Sequence, residues 1–380
     1  MVGPVTVNAM RPSLESVETP AGVVDLSRAR ANAERVVAYC RDHGLTWRPH
    51  VKTHKCTSLA RIQLEAGAKG LTVATPREAE VMASVCDDLL VAYPLIGDAK
   101  LDRIMALPGR VRLTVGLDSE ATLRATAAAA ERAGRTVKIV VEVDLGMRRV
   151  GLATPQEVVR LAGLVRELGG VSYAGVMFYP GHIREPQQEQ SDGLRILARD
   201  LAGVLEALSQ AGLPPDVVSG GSTPTLWRSH EIPSLTEIRA GTCIFYDRED
   251  LALGVAGLEN MAYTVLATVV STSVAGQAVI DAGSKALSKE GRGTDDGFGV
   301  LLGHPEVILK GVSEEHGVLD ITSTDWRPQV GDRVRVLPNH VCVSVNLQER
   351  LLVLSGGGVE EWPLEARGRG PFVTVELQAT

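Results

Sequence analysis

The stretch Arg48-Pro49-His50-Val51-Lys52-Thr53-His54-Lys55 holds the residues best suited to chemistry. If it is a strand, alternate residues share a face, so His50 and Lys52 point together while Val51 points away. A lysine directed inward is costly unless paired, solvated or neutralised. One use for such an amine is a Schiff base with an aldehyde cofactor; another is pairing with a carboxylate or a substrate anion. The segments Ser219-Gly220-Gly221-Ser222-Thr223-Pro224-Thr225 and Arg239-Ala240-Gly241-Thr242 each join glycine to hydroxyl side chains. Glycines let the backbone approach an anion closely, and two such loops side by side favour a phosphate cradle. Glu142-Val143-Asp144-Leu145-Gly146-Met147-Arg148-Arg149 offers cations for a phenolate or phosphate, or a solvated turn. Tyr179-Pro180-Gly181-His182 places an aromatic ring beside a titratable one, either to meet a flat cofactor or to close the fold. Pro338-Asn339-His340-Val341-Cys342 has a second i,i+2 pair. On a strand, His340 and Cys342 would share a face and one divalent ion, unless they are a buried thiol beside a satisfied imidazole.

These segments need a scaffold, and the alternation of the chain describes one. Short β-branched runs at Leu45–Lys52, Gly70–Ala74, Leu89–Leu95, Val111–Leu117, Val137–Asp144, Ser172–Tyr179, Asp216–Ser219 and Thr236–Ile244 are strand candidates. Between them, Ser58–Ala66, Pro76–Ser84, Ser119–Ala133, Pro155–Leu168 and Gln190–Ala211 have helical spacing. Alternating strand and helix implies a parallel sheet with covered faces, and about eight such units make an α/β fold of the (β/α)8 barrel type. Such barrels carry their chemistry at the C-terminal ends of the strands, where all the segments above fall except His340 and Cys342.

From about Ala262 the rhythm changes to Ala262–Ser273, Gln277–Asp281, Gly317–Ile321, Asp332–Leu337, Leu351–Leu354 and Phe372–Leu377, separated by Gly, Pro and Asp turns. That predicts a C-terminal, mostly antiparallel β domain. Val23–Leu26 is expected to return to it as an extra strand, and Ser288–Phe298 reads as a long loop. The domains expected are a barrel over 27–255 and a β domain made of 1–26 plus 256–380.

Composition narrows the class. With 380 residues, 39 Lys+Arg against 46 Asp+Glu and a net charge of -7, the chain lacks the basic surface that nucleic acid requires. No apolar run is long enough for a membrane helix, and residues 1–20 lack the apolar stretch of a signal peptide. Five scattered cysteines without a CxxC pair suit a reducing compartment, so a cytoplasmic protein is expected.

Taken together these segments resemble the D-threonine aldolase and D-serine dehydratase family of pyridoxal phosphate enzymes, which share the alanine racemase-like fold (fold-type III). The likeness runs from Thr19-Pro20-Ala21 to Cys342. It implies that Lys52 carries pyridoxal 5'-phosphate, that Arg149 contacts the ring oxygen, and that Gly221, Ser222, Thr223, Gly241 and Thr242 hold the phosphate. It further implies that His340 and Cys342 bind a divalent metal, Zn2+ or Mn2+. Tyr179 and Tyr246 join the cofactor-binding candidates, and His50 and His182 join Lys52 as catalytic candidates. The implied substrate is a small D-amino acid, and a homodimer is expected. A dehydratase would give a 2-oxo acid and ammonia from a D-3-hydroxy amino acid; an aldolase would give glycine and an aldehyde. Cys342 and the His-Val-Lys-Thr-His-Lys run resemble the dehydratases, whereas Val345-Asn346-Leu347 is similar to the aldolases. The dehydratase is the reading adopted. A racemase is the more distant alternative, because racemases of this fold do not need the metal pair.

Overall fold

The computed structural model describes residues 13–291 and 297–370. Eight strands form one parallel sheet: Thr46–Trp47, Leu71–Val73, Asp88–Val91, Arg112–Leu117, Val137–Glu142, Val171–Met177, Val217–Gly220 and Glu237–Ile238. Thr46–Trp47 pairs with Glu237–Ile238, and a bridge between His50 and Thr72 joins the remaining two edges. The Lys69 amide donates to the Trp47 carbonyl and the Thr72 amide to that of Pro49, both at 2.9 Å. The ring is thus closed, as the eight-unit alternation predicts.

Helices cover the outside because their sequences start them cleanly. Ser119 caps Glu120–Arg132, and Thr154 forms a capping box with Glu157 in front of Pro155. The first helix after the Lys52 stretch begins at Thr57, one residue before the expected Ser58, because a remote group caps it. Glu365 accepts from the Thr57 amide at 3.1 Å and from its hydroxyl at 2.6 Å. Sequence spacing cannot show a cap supplied from residue 365.

The second sheet has nine strands in the order Gln277–Ile280, Gly317–Asp320, His304–Val312, Gly299–Leu301, Arg333–Pro338, Tyr263–Ser271, Ala21–Asp25, Arg350–Ser355 and Gly358–Pro363. Every pairing is antiparallel except that of Ala21–Asp25 with Arg350–Ser355. The segment expected to return to this module does so. Strands His304–Val312 and Gly358–Pro363 were not expected: both expose charged residues such as Glu306, Lys310, Glu360 and Glu361, which mask a strand pattern. The expected run Phe372–Leu377 lies outside the described residues, as do Arg292 to Asp296 of the predicted loop. Among the described residues, no helix is long and apolar enough to cross a membrane.

One core runs through both sheets. Phe245 and Tyr246, just past the last barrel strand, and Tyr263, which opens the second sheet, are fully buried. The Phe245 and Tyr263 rings lie 5.7 Å apart. This packing sets the loop after Pro338 over the barrel mouth, where the site forms.

Candidate functional site

A cavity of about 660 Å³ opens at the C-terminal ends of the barrel strands, of a size that holds a cofactor or small ligand. Lys52 lines it, but not for the reason strand alternation gives. The first strand stops at Trp47, and Val51–Thr53 tightens into a 3-10 turn in which the His54 and Lys55 amides donate to the Val51 carbonyl. Val51 is buried and Lys52 is open to the cavity. Lys55 then takes a positive φ of 52°, and its ammonium donates to Asn346 Oδ1 at 2.7 Å, tying this turn to the second sheet.

His50 also lines the cavity. Its Nδ1 is buried without a hydrogen-bond partner. Burial, then the neighbouring Lys52, Arg239 and Arg149 cations, hold its pKa well below the ordinary imidazole value, so the ring is neutral.

The two glycine turns follow adjacent, paired strands and line the same space. Gly221, Ser222, Thr223, Gly241 and Thr242 all line it. Gly221 sits at φ +81°, open to glycine at little cost. At Gly241 a Cβ would lie 2.6 Å from the His50 carbonyl oxygen, so only glycine fits against that turn. Arg149 reaches the cavity from a loop folded back by Asp144, whose Oδ1 accepts from the Gly146 and Arg148 amides at 3.0 and 2.9 Å. The Arg149 guanidinium lies 4.9 Å over the Tyr179 ring, a cation–π pair at the wall.

His340 and Cys342 line the cavity from the second sheet's side. They are not on a strand: His340 immediately precedes the helix Val341–Leu347, and Cys342 lies in its first turn. The chain leaves strand Arg333–Pro338 and bends there, so the i,i+2 spacing brings the side chains together in a turn instead. Cys342 Sγ is 3.3 Å from Thr53 Oγ1. Burial alone would raise the thiol, but His340 and Lys52 outweigh it and lower its pKa. Burial opposes charging His340 too, yet Cys342 and Asp247 raise it to about 10.

Two expected site residues stand apart. His182 is exposed at the rim with its ring against Gly146, where an added Cβ would lie 2.8 Å from its Nε2; it does not line the cavity. Tyr246 is fully buried beneath the last turn, at φ 52°, and also does not line the cavity. The expected strand Thr236–Ile244 stops at Ile238, and the 3-10 turn Thr242–Ile244 that replaces its end leads Tyr246 inward.

The sequence reading gave no role to several residues that meet here: Glu142, Arg184, Arg239, Asp247, Glu249 and Asp250. Buried Arg239 donates to Ser219 Oγ and to the Phe178 carbonyl, each at 2.7 Å. Glu142 is buried, and that burial raises its pKa. Ligand atoms of Asp247, Glu249 and His340 lie within 4.8 Å of one another. Of these, the segments quoted from the sequence contained Glu142 and Arg239, whose types were visible but not their directions.

The donor set fits both groups that the resemblance implies. A cavity-facing amine, two glycine–hydroxyl turns and a buried Nδ1 with no protein partner suit pyridoxal phosphate. The His340 imidazole, beside the Cys342 thiol on one side and the Asp247 and Glu249 carboxylates on the other, suits a divalent ion.

Comparison with known proteins agrees. Residues 24–249 match the alanine racemase N-terminal domain, and residues 262–354 match the putative serine dehydratase domain. The chain is 35% identical to a D-threo-3-hydroxyaspartate dehydratase of Delftia sp. (strain HT23), over 93% of this chain and 98% of that one. It is 31% identical to a D-threonine aldolase of Arthrobacter sp., over 93% and 94%. A solved structure of a D-threo-3-hydroxyaspartate dehydratase with one cysteine changed to alanine, in its metal-free form, superposes with a TM-score of 0.82 at 32% identity, covering 95% of this chain and 100% of that one. This chain belongs to the alanine racemase-like, fold-type III family whose members carry a serine dehydratase domain after the barrel.

Proposed function

We propose that the chain is a dehydratase, converting a D-3-hydroxy amino acid such as D-serine, D-threonine or 3-hydroxyaspartate to a 2-oxo acid and ammonia. At the broader level it is a pyridoxal phosphate-dependent lyase of D-3-hydroxy amino acids, with dehydratases and aldolases both among its relatives. One observation carries the reading: Lys52, the two glycine turns and the His340–Cys342 pair open into one cavity.

In this reading Lys52 holds the cofactor's aldehyde carbon, and Gly221, Ser222, Thr223, Gly241 and Thr242 cradle its phosphate. Arg149, braced on Tyr179, donates to the ring oxygen. His340 and Cys342 hold the divalent ion. Pyridoxal phosphate, when bound, supplies an electron sink for the carbon beside the amino group. A divalent ion, when bound, supplies a Lewis acid for the 3-hydroxyl oxygen. Lys52 Nζ would take the proton from the α-carbon, and that proton and the 3-hydroxyl would leave together as water. His50, kept neutral beside it, is a proton acceptor at the same wall. His182 and Tyr246 have no part in this scheme, since neither reaches the cavity.

Cys342 at the second ligand position and the run around Lys52 resemble the dehydratases, and that likeness supports elimination of the hydroxyl over carbon–carbon cleavage. The aldolase reading rests on Val345-Asn346-Leu347 and on the Arthrobacter relative. A reducing, cytoplasmic setting accords with five free cysteines. A homodimer follows from the resemblance. The test is consumption of D-threonine but not L-threonine, abolished by EDTA and restored by Zn2+ or Mn2+. Chelator-insensitive racemisation would overturn the reading in favour of a racemase.

A further inference from the structure

Asp247 lies where the barrel meets the metal pair, and its bonds define what it can do. It caps the short helix Arg248–Ala252, and its Oδ1 accepts from the Asp250 amide at 3.2 Å. Its Oδ2 accepts from the Val341 amide at 2.9 Å and lies 2.9 Å from His340 Nδ1. The carboxylate is almost fully buried, and the His340 side chain is only 13% exposed. Two backbone amides, which can only donate, fix this carboxylate as an acceptor on both oxygens. The nitrogen facing it must therefore carry the proton.

We propose that Asp247 is the positioning residue of the metal pair: it holds His340 with Nδ1 protonated, so that Nε2 is the nitrogen offered to a divalent ion. The proposal rests on the metal reading of His340 and Cys342. Asp247 follows the last barrel strand and His340 follows strand Arg333–Pro338 of the second sheet, so one carboxylate sets both the tautomer and the place of the ligand over the mouth. Arg248 reinforces the junction by donating to Asn339 Oδ1 at 3.1 Å. A carboxylate behind a ligating imidazole orients the ring and strengthens its donation to the ion. The competing arrangement makes Asp247 itself a ligand together with Glu249 and His340, whose ligand atoms are close enough for that. His340 Nδ1 cannot both donate to Asp247 and coordinate.

The test uses cofactor-loaded wild type, Asp247→Asn, Asp247→Ala and His340→Ala, with Zn2+ and Co2+ affinities measured by competition with a chromophoric chelator. Positioning predicts that both Asp247 variants weaken binding about 10–100-fold. They should keep the thiolate-to-Co2+ band of Cys342 and the cofactor's visible absorption. Affinity within about threefold of wild type overturns the proposal. So does a loss as complete as that of His340→Ala, which would make Asp247 a ligand. Wild type that binds no ion overturns the metal reading with it, whereas tight wild-type binding untouched by the Asp247 changes overturns the positioning role alone. Should the variants misfold, long-range 1H–15N spectra of histidine-labelled, Zn2+-loaded wild type decide. A histidine with protonated Nδ1 and metal-bound Nε2, lost from the spectrum of His340→Ala, supports the proposal; the reverse tautomer refutes it.

Discussion

His54 sits directly behind the Lys52 turn, fully buried, with both ring nitrogens engaged. Nδ1 accepts from the Cys56 amide at 3.1 Å, so Nε2 carries the proton and donates to Gln63 Oε1 at 3.0 Å. Adding a second proton would set it against the Cys56 amide and bury a cation. Burial accordingly lowers the pKa from 6.5 to about 4. The unfolded chain takes up this proton near pH 6.5 while the folded chain resists until about pH 4, so the unfolded state binds more protons in that window. Stability is therefore undiminished above pH 6.5 and falls as the pH drops toward 4. The full loss from this one residue is about 3 kcal/mol, of which about 2 kcal/mol is reached by pH 5. Equilibrium urea unfolding of cofactor-free wild type and His54→Gln at pH 7.5 and pH 5 reads the difference. Wild type should lose about 2 kcal/mol more than the variant between these conditions. His50 shifts in the same direction but is present in both proteins and cancels. Equal losses would refute the assignment of this acid sensitivity to His54.

Three further outcomes follow from the geometry. Glu237→Ala leaves the buried Arg48 Nε without its 2.8 Å acceptor and Ser219 without its own, while Asp88 still pairs with Arg48 at 2.6 Å, and should cost about 1–3 kcal/mol in urea unfolding. Lys52→Ala should abolish the yellow colour of the bound cofactor and the turnover together; an active, coloured variant would remove the core of the assignment. His340→Ala should keep the colour, lose bound metal on elemental analysis and lose most turnover, so undiminished turnover would refute the metal pair.

The barrel was legible because its units repeat a buried β-branched run, and several helix starts are written locally, as in Ser119 and in Thr154-Pro155 with Glu157. The return of Ala21–Asp25 to the second sheet was legible from its short apolar run. What failed were places where a turn interrupts an extended pattern. Val51–Thr53 and Thr242–Ile244 tighten into 3-10 turns at the cavity, and His340 to Cys342 enters a helix. Period-two alternation then gave the right neighbours at His50 and Lys52 for a wrong reason. Asp247, Glu249 and Asp250 escaped notice for a different cause. Their acidity suits a solvated helix start equally well, and only the fold brings His340 from nearly a hundred residues away to meet them.

The central claim is which bond breaks. Purified enzyme would be incubated with D-threonine, pyridoxal phosphate and Zn2+ or Mn2+, with EDTA and L-threonine controls, and the products identified by mass spectrometry. The account predicts 2-oxobutyrate and ammonia from the D-isomer, absent with EDTA. Glycine with acetaldehyde would contradict it and make the enzyme an aldolase that keeps the same lysine and the same metal pair.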